Sequence, residues 1–351
     1  MMSRRSSTVA LVVSVVLGGG LLGAAPRRPE GVTAEIEDMA KSGANYLVRT
    51  QNPDGSWNNM GGYGRYPTTM TALAGTALLA TGSTPTRGPY ARAVSRAADF
   101  LVRASRPNGL FATPAETGSC MHGHGFTLLF LAQVYGMERD EERQRRLRDA
   151  LRRGVRLTER SQSRAGGWLY SPDSEGDEGS VTVTQIQGLR ACRNAGIQVN
   201  ANTVRRAVRY IERSMNPDGG IRYRVGSGGS SRPPISAAAV ATLYNAGEYD
   251  SPLALKIMRY CDRAISVHGD TNRSWGHYFY THLYFSQAKY QRGGTERKEW
   301  LRYYRGITRR LQASRAGDGS WMGDQVGTSY GTAIALIILQ LPYEYVPIFQ
   351  R

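Results

Sequence analysis

A Gly-rich turn ending in an aromatic or aliphatic residue returns six times along the chain, and no other feature restricts the fold as strongly. It reads Asn52-Pro53-Asp54-Gly55-Ser56-Trp57, Pro107-Asn108-Gly109-Leu110-Phe111, Ala165-Gly166-Gly167-Trp168, Asn216-Pro217-Asp218-Gly219-Gly220-Ile221, Asn272-Arg273-Ser274-Trp275 and Gly317-Asp318-Gly319-Ser320-Trp321. The closing residues stand at 57, 111, 168, 221, 275 and 321, with spacings of 54, 57, 53, 54 and 46. Four of the five tryptophans hold this position, which ordinary glycine-rich turns do not explain.

Each turn lies between two helical patterns of different character. A charged, amphipathic segment precedes it: 34–50, 90–105, 139–161, 202–214, 251–267 and 296–313. A segment with few charges on any face follows it: 68–81, 123–137, 180–195, 236–247, 277–290 and 329–341. Such helices are buried on more than one side. Thr68 or Thr69, Ser180, Ser236 and Thr328 or Ser329 stand at expected N-caps, and Gly196 and Gly247 at expected stops. Six alternating pairs can stack as an open solenoid or close as a ring. A solenoid needs a polar terminal face, and the last segment, with Ile334-Ala335-Leu336-Ile337-Ile338-Leu339, has none. The pattern predicts an all-α toroid, an α6/α6 barrel of six inner and six outer helices, with all inner helices starting at one mouth. Their dipoles make that mouth favourable to anions.

The turns carry a resemblance. Tyr46-Leu47, Gln51, Gly55 and Trp57 resemble the Gln-Trp repeat of squalene and oxidosqualene cyclases, whose fold protein prenyltransferase beta subunits share. The segments 166–172 and 176–182, Trp275-Gly276-His277-Tyr278 through Ala288, and Asp318-Gly319-Ser320-Trp321 through Leu341 are similar to the exported bacterial prenyltransferase and squalene oxidase repeat proteins. The resemblance covers roughly residues 34–347 and makes Gln51, Gly55, Trp57, Gly109, Phe111, Gly167, Trp168, Gly219, Trp275, Gly319 and Trp321 structural signature positions. It implies the toroid and no particular reaction.

The chemical signatures of the relatives are missing. The resemblance implies, for cyclases, an Asp-x-Asp-Asp acid at the start of an inner helix; none occurs. The nearest acids are Asp173, Glu175, Asp177 and Glu178 before Ser180, with Asp177 and Glu178 the candidate proton donors. A solvated acidic loop, favoured by Gly176 and Gly179, is the simpler reading, and weak calcium binding a third. Prenyltransferases imply an Asp-x-Cys zinc pair, also absent. Cys120, His122 and His124 crowd the entrance of the second inner helix instead, a donor set chemically suited to zinc or copper at a spacing that matches no established site. A complement-type thioester is excluded by the lack of Cys-x-Glu-Gln. Phe126, Phe130, Thr182, Gln185, Tyr278, His282 and Tyr330 are candidates to line a central cavity, where aromatic rings either fill the barrel or face a ligand. These residues support three readings: a non-catalytic or divergent toroid binding an isoprenoid-like apolar molecule or a protein at its mouth; an isoprenoid cyclase; and a metal-dependent or glycan-active enzyme. Peripheral contact with a membrane fits the first.

Charge enters last because it misleads. The formal net charge of +17 invites nucleic-acid binding, yet 41 of the 45 basic residues are arginines spread along the chain with no reading motif. Nucleic acid is not an expected partner. Arg4 and Arg5, the apolar run from Val9 to Leu22 and Gly23-Ala24-Ala25 read as an export signal, residues 1–25, followed by a linker, 26–33, and one toroid, 34–351. An uncleaved anchor is the alternative, but Gly18-Gly19-Gly20 breaks the run. Three cysteines, some 70 residues apart, define no disulfide.

Overall fold

The computed structural model describes residues 28–59, 65–116, 118–268 and 277–350. The proposed signal, residues 1–25, and the Trp275 turn lie outside them. Eleven α-helices occur among the described residues. The outer ones are α1 (Ala34–Thr50), α3 (Ala91–Arg103), α5 (Glu141–Arg160), α7 (Ala201–Ser214) and α9 (Pro252–Ala264). The inner ones are α2 (Pro67–Leu79), α4 (Cys120–Met137), α6 (Gly179–Asn194), α8 (Pro233–Asn245) and α11 (Thr328–Gln340). α10 (Tyr278–Ser314) is two helices joined at Glu296, where φ −118° and ψ 31° interrupt the helix, so its first arm is inner and its second outer. Among the described residues there is no β-strand, only isolated bridges beside the turns.

The inner helices pack in the order α2, α4, α6, α8, first arm of α10 and α11, and α11 returns to α2, so the ring is closed. The α6/α6 toroid expected from the repeats is the architecture observed. Every residue of α2 is buried, as an inner helix without a polar face requires. Five inner helices begin one to three residues earlier than expected, and two of them, α2 and α8, start on Pro67 and Pro233, because proline at the first helical position needs no hydrogen-bond partner for its nitrogen. Thr68 and Ser236 therefore lie inside their helices, and at α6 Glu178 takes the cap expected of Ser180. Gly196 and Gly247, at φ 81° and 89°, follow helix ends as expected.

The turn is a joint with three recurring bonds. The closing residue's N–H donates to a side chain of the inner helix it feeds: Trp57 to Thr71 Oγ1 (3.0 Å), Phe111 to His124 Nδ1 (3.2 Å), Trp168 to Thr182 Oγ1 (3.0 Å), Ile221 to Ser236 Oγ (2.8 Å) and Trp321 to Thr332 Oγ1 (3.0 Å). The indoles of Trp57, Trp168 and Trp321 donate to carbonyls of the outer helix just left, those of Leu47, Thr158 and Leu311. An arginine from the next outer helix donates to the carbonyl preceding the joint's left-handed glycine: Arg103 to Asp54, Arg160 to Asn108, Arg213 to Ala165, Arg263 to Asp218 and Arg49 to Asp318. That glycine is irreplaceable on two counts. Gly55 has φ 95°, and a Cβ there would stand 2.3 Å from the carbonyl oxygen of Arg96 on α3. In the third turn the left-handed position is Gly166 and not Gly167, which occupies the following site against Thr182 and Tyr210.

Candidate functional site

The inner helices all start at one end of the ring, and their starts enclose a cavity of about 380 Å³. Each inner helix contributes from its cap or first turns: Tyr66, Thr69 and Met70 from α2; Ser119, His122 and Phe126 from α4; Glu178 and Ser180 from α6; Arg232, Pro234 and Ile235 from α8; His277, Tyr280 and Leu283 from α10; Tyr330 from α11. Tyr170, Tyr223 and Val326, from the loops between turn and helix, complete the wall. The volume equals that of about a dozen water molecules at roughly 30 Å³ each, small for a binding pocket.

The mouth loops also close the helix starts. Glu116, buried, accepts from Thr68 N (3.0 Å) and Thr68 Oγ1 (2.5 Å) of the preceding repeat while holding Thr113 N (2.8 Å). Met121 N donates to Tyr170 O (3.0 Å) and Gly179 N to Tyr223 O (3.1 Å). Asp324 accepts from Phe279 N (3.1 Å) and Tyr280 N (3.2 Å) and meets the Tyr330 hydroxyl at 3.5 Å. In these four cases a helix of one repeat is capped by the loop of the next.

Electrostatically the wall sets Arg232 and Glu178 among aromatic rings. Arg232 lies 4.5 Å over the Tyr223 ring, and Arg224 lies 5.5 Å from the same ring. Burial, then the nearby Arg232, push the His277 pKa down, and burial lowers His122 despite Glu178. Both imidazoles are therefore biased to the neutral form. Glu178 is fully buried and accepts from Ser180 N (2.9 Å), Ser180 Oγ (2.6 Å) and Val181 N (2.9 Å) as the N-cap of α6. Asp324, next to the wall, is pushed up to about 6 by burial, against the lowering effect of the N–H groups it caps. It sits on a strained loop in which Asp324 and Gln325 both have positive φ, 46° and 60°.

Of the residues expected at a site, Phe126, Tyr330, His122 and Glu178 line this cavity. The others lie elsewhere. Asp177 turns to Val225 N (3.1 Å), and Asp173 and Glu175 are exposed, so the acids of this loop diverge. Thr182 is the joint acceptor for Trp168, and Gln185 bonds Met121 O (2.6 Å) within the barrel. Phe130 packs against Gly75. Tyr278 and His282 face the second arm of α10, with Tyr278 bonded to Val267 O (3.2 Å) and His282 Nδ1 to the Tyr303 hydroxyl (2.8 Å). The Cys120, His122 and His124 set also separates. The Cys120 thiol points to Tyr170 O (3.6 Å), whereas His124 is buried between the Phe111 N–H and Thr158 Oγ1 (3.0 Å) and is driven down to about 3 by that burial. Among the described residues no three His, Cys, Asp or Glu side chains converge on a metal position. All three cysteines are buried free thiols. Tyr170 and Tyr223 were not singled out by sequence, although each, like His277, stands two residues beyond a closing residue of the repeat, at 168, 221 and 275. No helix among the described residues is long and apolar enough to cross a membrane.

No family model matches the chain, and no curated protein matches it by sequence. Solved structures do. The type II terpene cyclase MstE from Scytonema is 16% identical, with a TM-score of 0.60 over 89% of this chain and 100% of that one. A variant of that cyclase has been solved with geranylgeranyl dihydroxybenzoate as substrate. A protein from Actinoplanes is 17% identical, with a TM-score of 0.61 over 88% and 99%. An inactive variant of the α-1,6-mannanase of Salegentibacter, solved with α-1,6-mannotriose, is 8% identical, with a TM-score of 0.64 over 87% and 98%. The shared property is the α-α toroid, present in a cyclase and a glycoside hydrolase alike.

Proposed function

We propose that the protein is a divergent, exported member of the prenyltransferase and squalene oxidase repeat group whose mouth cavity binds a small, mainly apolar ligand with a polar or anionic head. The observation that carries this reading is the composition of the wall. Met70, Phe126, Ile235, Leu283 and Val326 supply an apolar floor, five tyrosines a rim, and Arg232 a cation among converging helix starts. Its one carboxylate, Glu178, already accepts three hydrogen bonds, an arrangement suited to holding a helix start. The cyclase neighbour's isoprenoid substrate agrees in class with this wall. Fluorescence titration with geranylgeraniol, geranylgeranoic acid and a saturated fatty acid checks it. Saturable quenching is expected, strongest for an acid, and lost in Phe126→Arg at a temperature where circular dichroism shows the variant folded. If none of the three bound to wild type, this reading would be wrong. Export is part of the proposal and rests on residues 1–25; N-terminal sequencing of protein expressed in a secreting bacterial host should find Pro26 first.

One observation favours acid-initiated cyclisation as a second reading. Asp324, held near 6, touches Tyr330 in the wall, so a proton donor poised close to neutral pH lies one residue behind the cavity. On that reading, incubation with geranylgeranyl substrates gives cyclic products that disappear in Asp324→Asn; absence of product from wild type removes it.

A further inference from the structure

Four of the polar residues on the cavity wall form one chain. Ser119 Oγ lies 2.7 Å from His122 Nδ1, His122 Nε2 lies 2.9 Å from Ser180 Oγ, and Ser180 Oγ lies 2.6 Å from Glu178 Oε2. The proton positions follow from the inventory. A carboxylate only accepts, so Ser180 donates to Glu178 and takes its own hydrogen bond from His122 Nε2–H. That leaves the Nδ1 lone pair facing the Ser119 hydroxyl. We propose that Ser119, His122, Ser180 and Glu178 are a serine acyl-transfer relay that hydrolyses an ester with an apolar acyl chain held in the mouth cavity.

Capping alone does not account for this arrangement. Ser119 is the N-cap of α4, where a serine ordinarily accepts from a backbone N–H of the first turn; here its side chain makes no such bond and is spent on the imidazole. Nucleophile, base and an orienting acid within hydrogen-bond reach are what activated serines have in common. Ser180 stands between base and acid, so the acid orients the imidazole through one hydroxyl. All four side chains border the same space as Phe126, Ile235 and Leu283, which would take the acyl chain.

The step balances without a cofactor. Ser119 Oγ attacks the ester carbonyl carbon, its proton passes to His122 Nδ1, and the Nε2 proton stays on its bond to Ser180. The oxyanion forms on the wall that carries Arg232. Collapse breaks the carbon–alkoxide bond, and the Nδ1 proton leaves with the alcohol. Water then gives a proton to His122 and its oxygen to the acyl carbon, releasing the carboxylic acid and restoring Ser119. The lowered His122 pKa keeps the base neutral at pH 7.

This proposal rests on the cavity reading above, and its test separates the two. Wild type is treated with an alkyl fluorophosphonate and assayed with p-nitrophenyl acetate and octanoate, while geranylgeranoic acid binding is measured on the same sample. One adduct on Ser119 is expected by peptide mapping, with octanoate turned over faster than acetate. His122→Gln should lower kcat/KM by about 10²–10⁴-fold. Ser180 is a positioning residue: Ser180→Ala should lower kcat at unchanged KM and shift the acid limb of the pH profile, and Ser180→Thr should recover both. Ligand binding with no adduct, and no turnover above Ser119→Ala, overturns the relay and leaves the cavity reading intact. Loss of binding as well overturns both. An adduct on any other residue overturns the assignment, and because mapping uses wild type it does not depend on a variant folding.

Discussion

The side chain that accepts the joint's N–H decides whether a turn holds. Thr182 does this for Trp168, whose N–H is buried. Thr182→Val keeps the shape and orphans the donor, so a loss of about 1–3 kcal/mol is expected, read as a lower urea midpoint at unchanged slope, with Thr182→Ser largely restoring it. His124 does the same for Phe111 and is held near 3 in the folded state against 6.5 when exposed. Its pKa is depressed, so the unfolded chain binds the proton first: the stability it contributes is full above about pH 6.5 and is lost as pH falls from there toward 3. Urea midpoints at pH 7.5, 5.5 and 4.5 should fall steeply for wild type and less for His124→Asn. Sequence marked Trp57, Trp168 and Trp321 as repeat positions and assigned both acceptors to other roles. The reason is physical: the bond asks only for an acceptor, and Thr71, His124, Thr182, Ser236 and Thr332 meet it at separations of 14, 13, 14, 15 and 11 residues. No fixed motif marks such a requirement.

Elements here do not finish their own ends. Glu116 closes the start of α2 from the loop of the following repeat, so its removal acts on a helix nearly 50 residues upstream. Glu116→Ala should cost at least about 2 kcal/mol, since the buried Thr68 donors of α2 and the part-buried Thr113 donors of the loop lose their acceptor, and hydrogen exchange at Thr68 and Thr69 should speed up before exchange in α4 does. The helices themselves were legible, because charged and uncharged segments alternate; α1 has the very bounds that the sequence pattern suggested. The cavity wall was not. Tyr170 and Tyr223 reach it from loops whose conformation depends on contacts with a neighbouring repeat, and helical periodicity carries no information about loops. The role of the arginines was hidden for a related reason: Arg103, Arg213 and Arg263 carry no local signal that sets them apart from the other arginines of the outer helices, and each fastens the preceding turn.

At the scale of the whole molecule, the seam between last and first repeats is built like the other described joints. Gly319, at φ 89°, presses on α1 so closely that a Cβ would stand 2.3 Å from Ser42 Oγ and 3.0 Å from Ser42 O; Arg49 of α1 holds Asp318 O (3.0 Å), and the Tyr46 hydroxyl holds Thr328 Oγ1 (2.6 Å). Gly196 has a similar φ of 81° with nothing within 4 Å. Gly196→Ala should therefore cost only the backbone term, roughly 1–2 kcal/mol, while Gly319→Ala costs more and lowers the midpoint of the whole chain in a single transition. An open stack of repeats would instead tolerate a change at its last turn. The division of labour between joint and mouth loop has a further consequence. Joints keep their bonds on the ring's own helices, while Tyr170 and Tyr223 of the cavity wall hang from loops that bond across the mouth. Substitutions in those loops can then reshape the mouth without disturbing the ring, so one toroid shape can carry many different mouths.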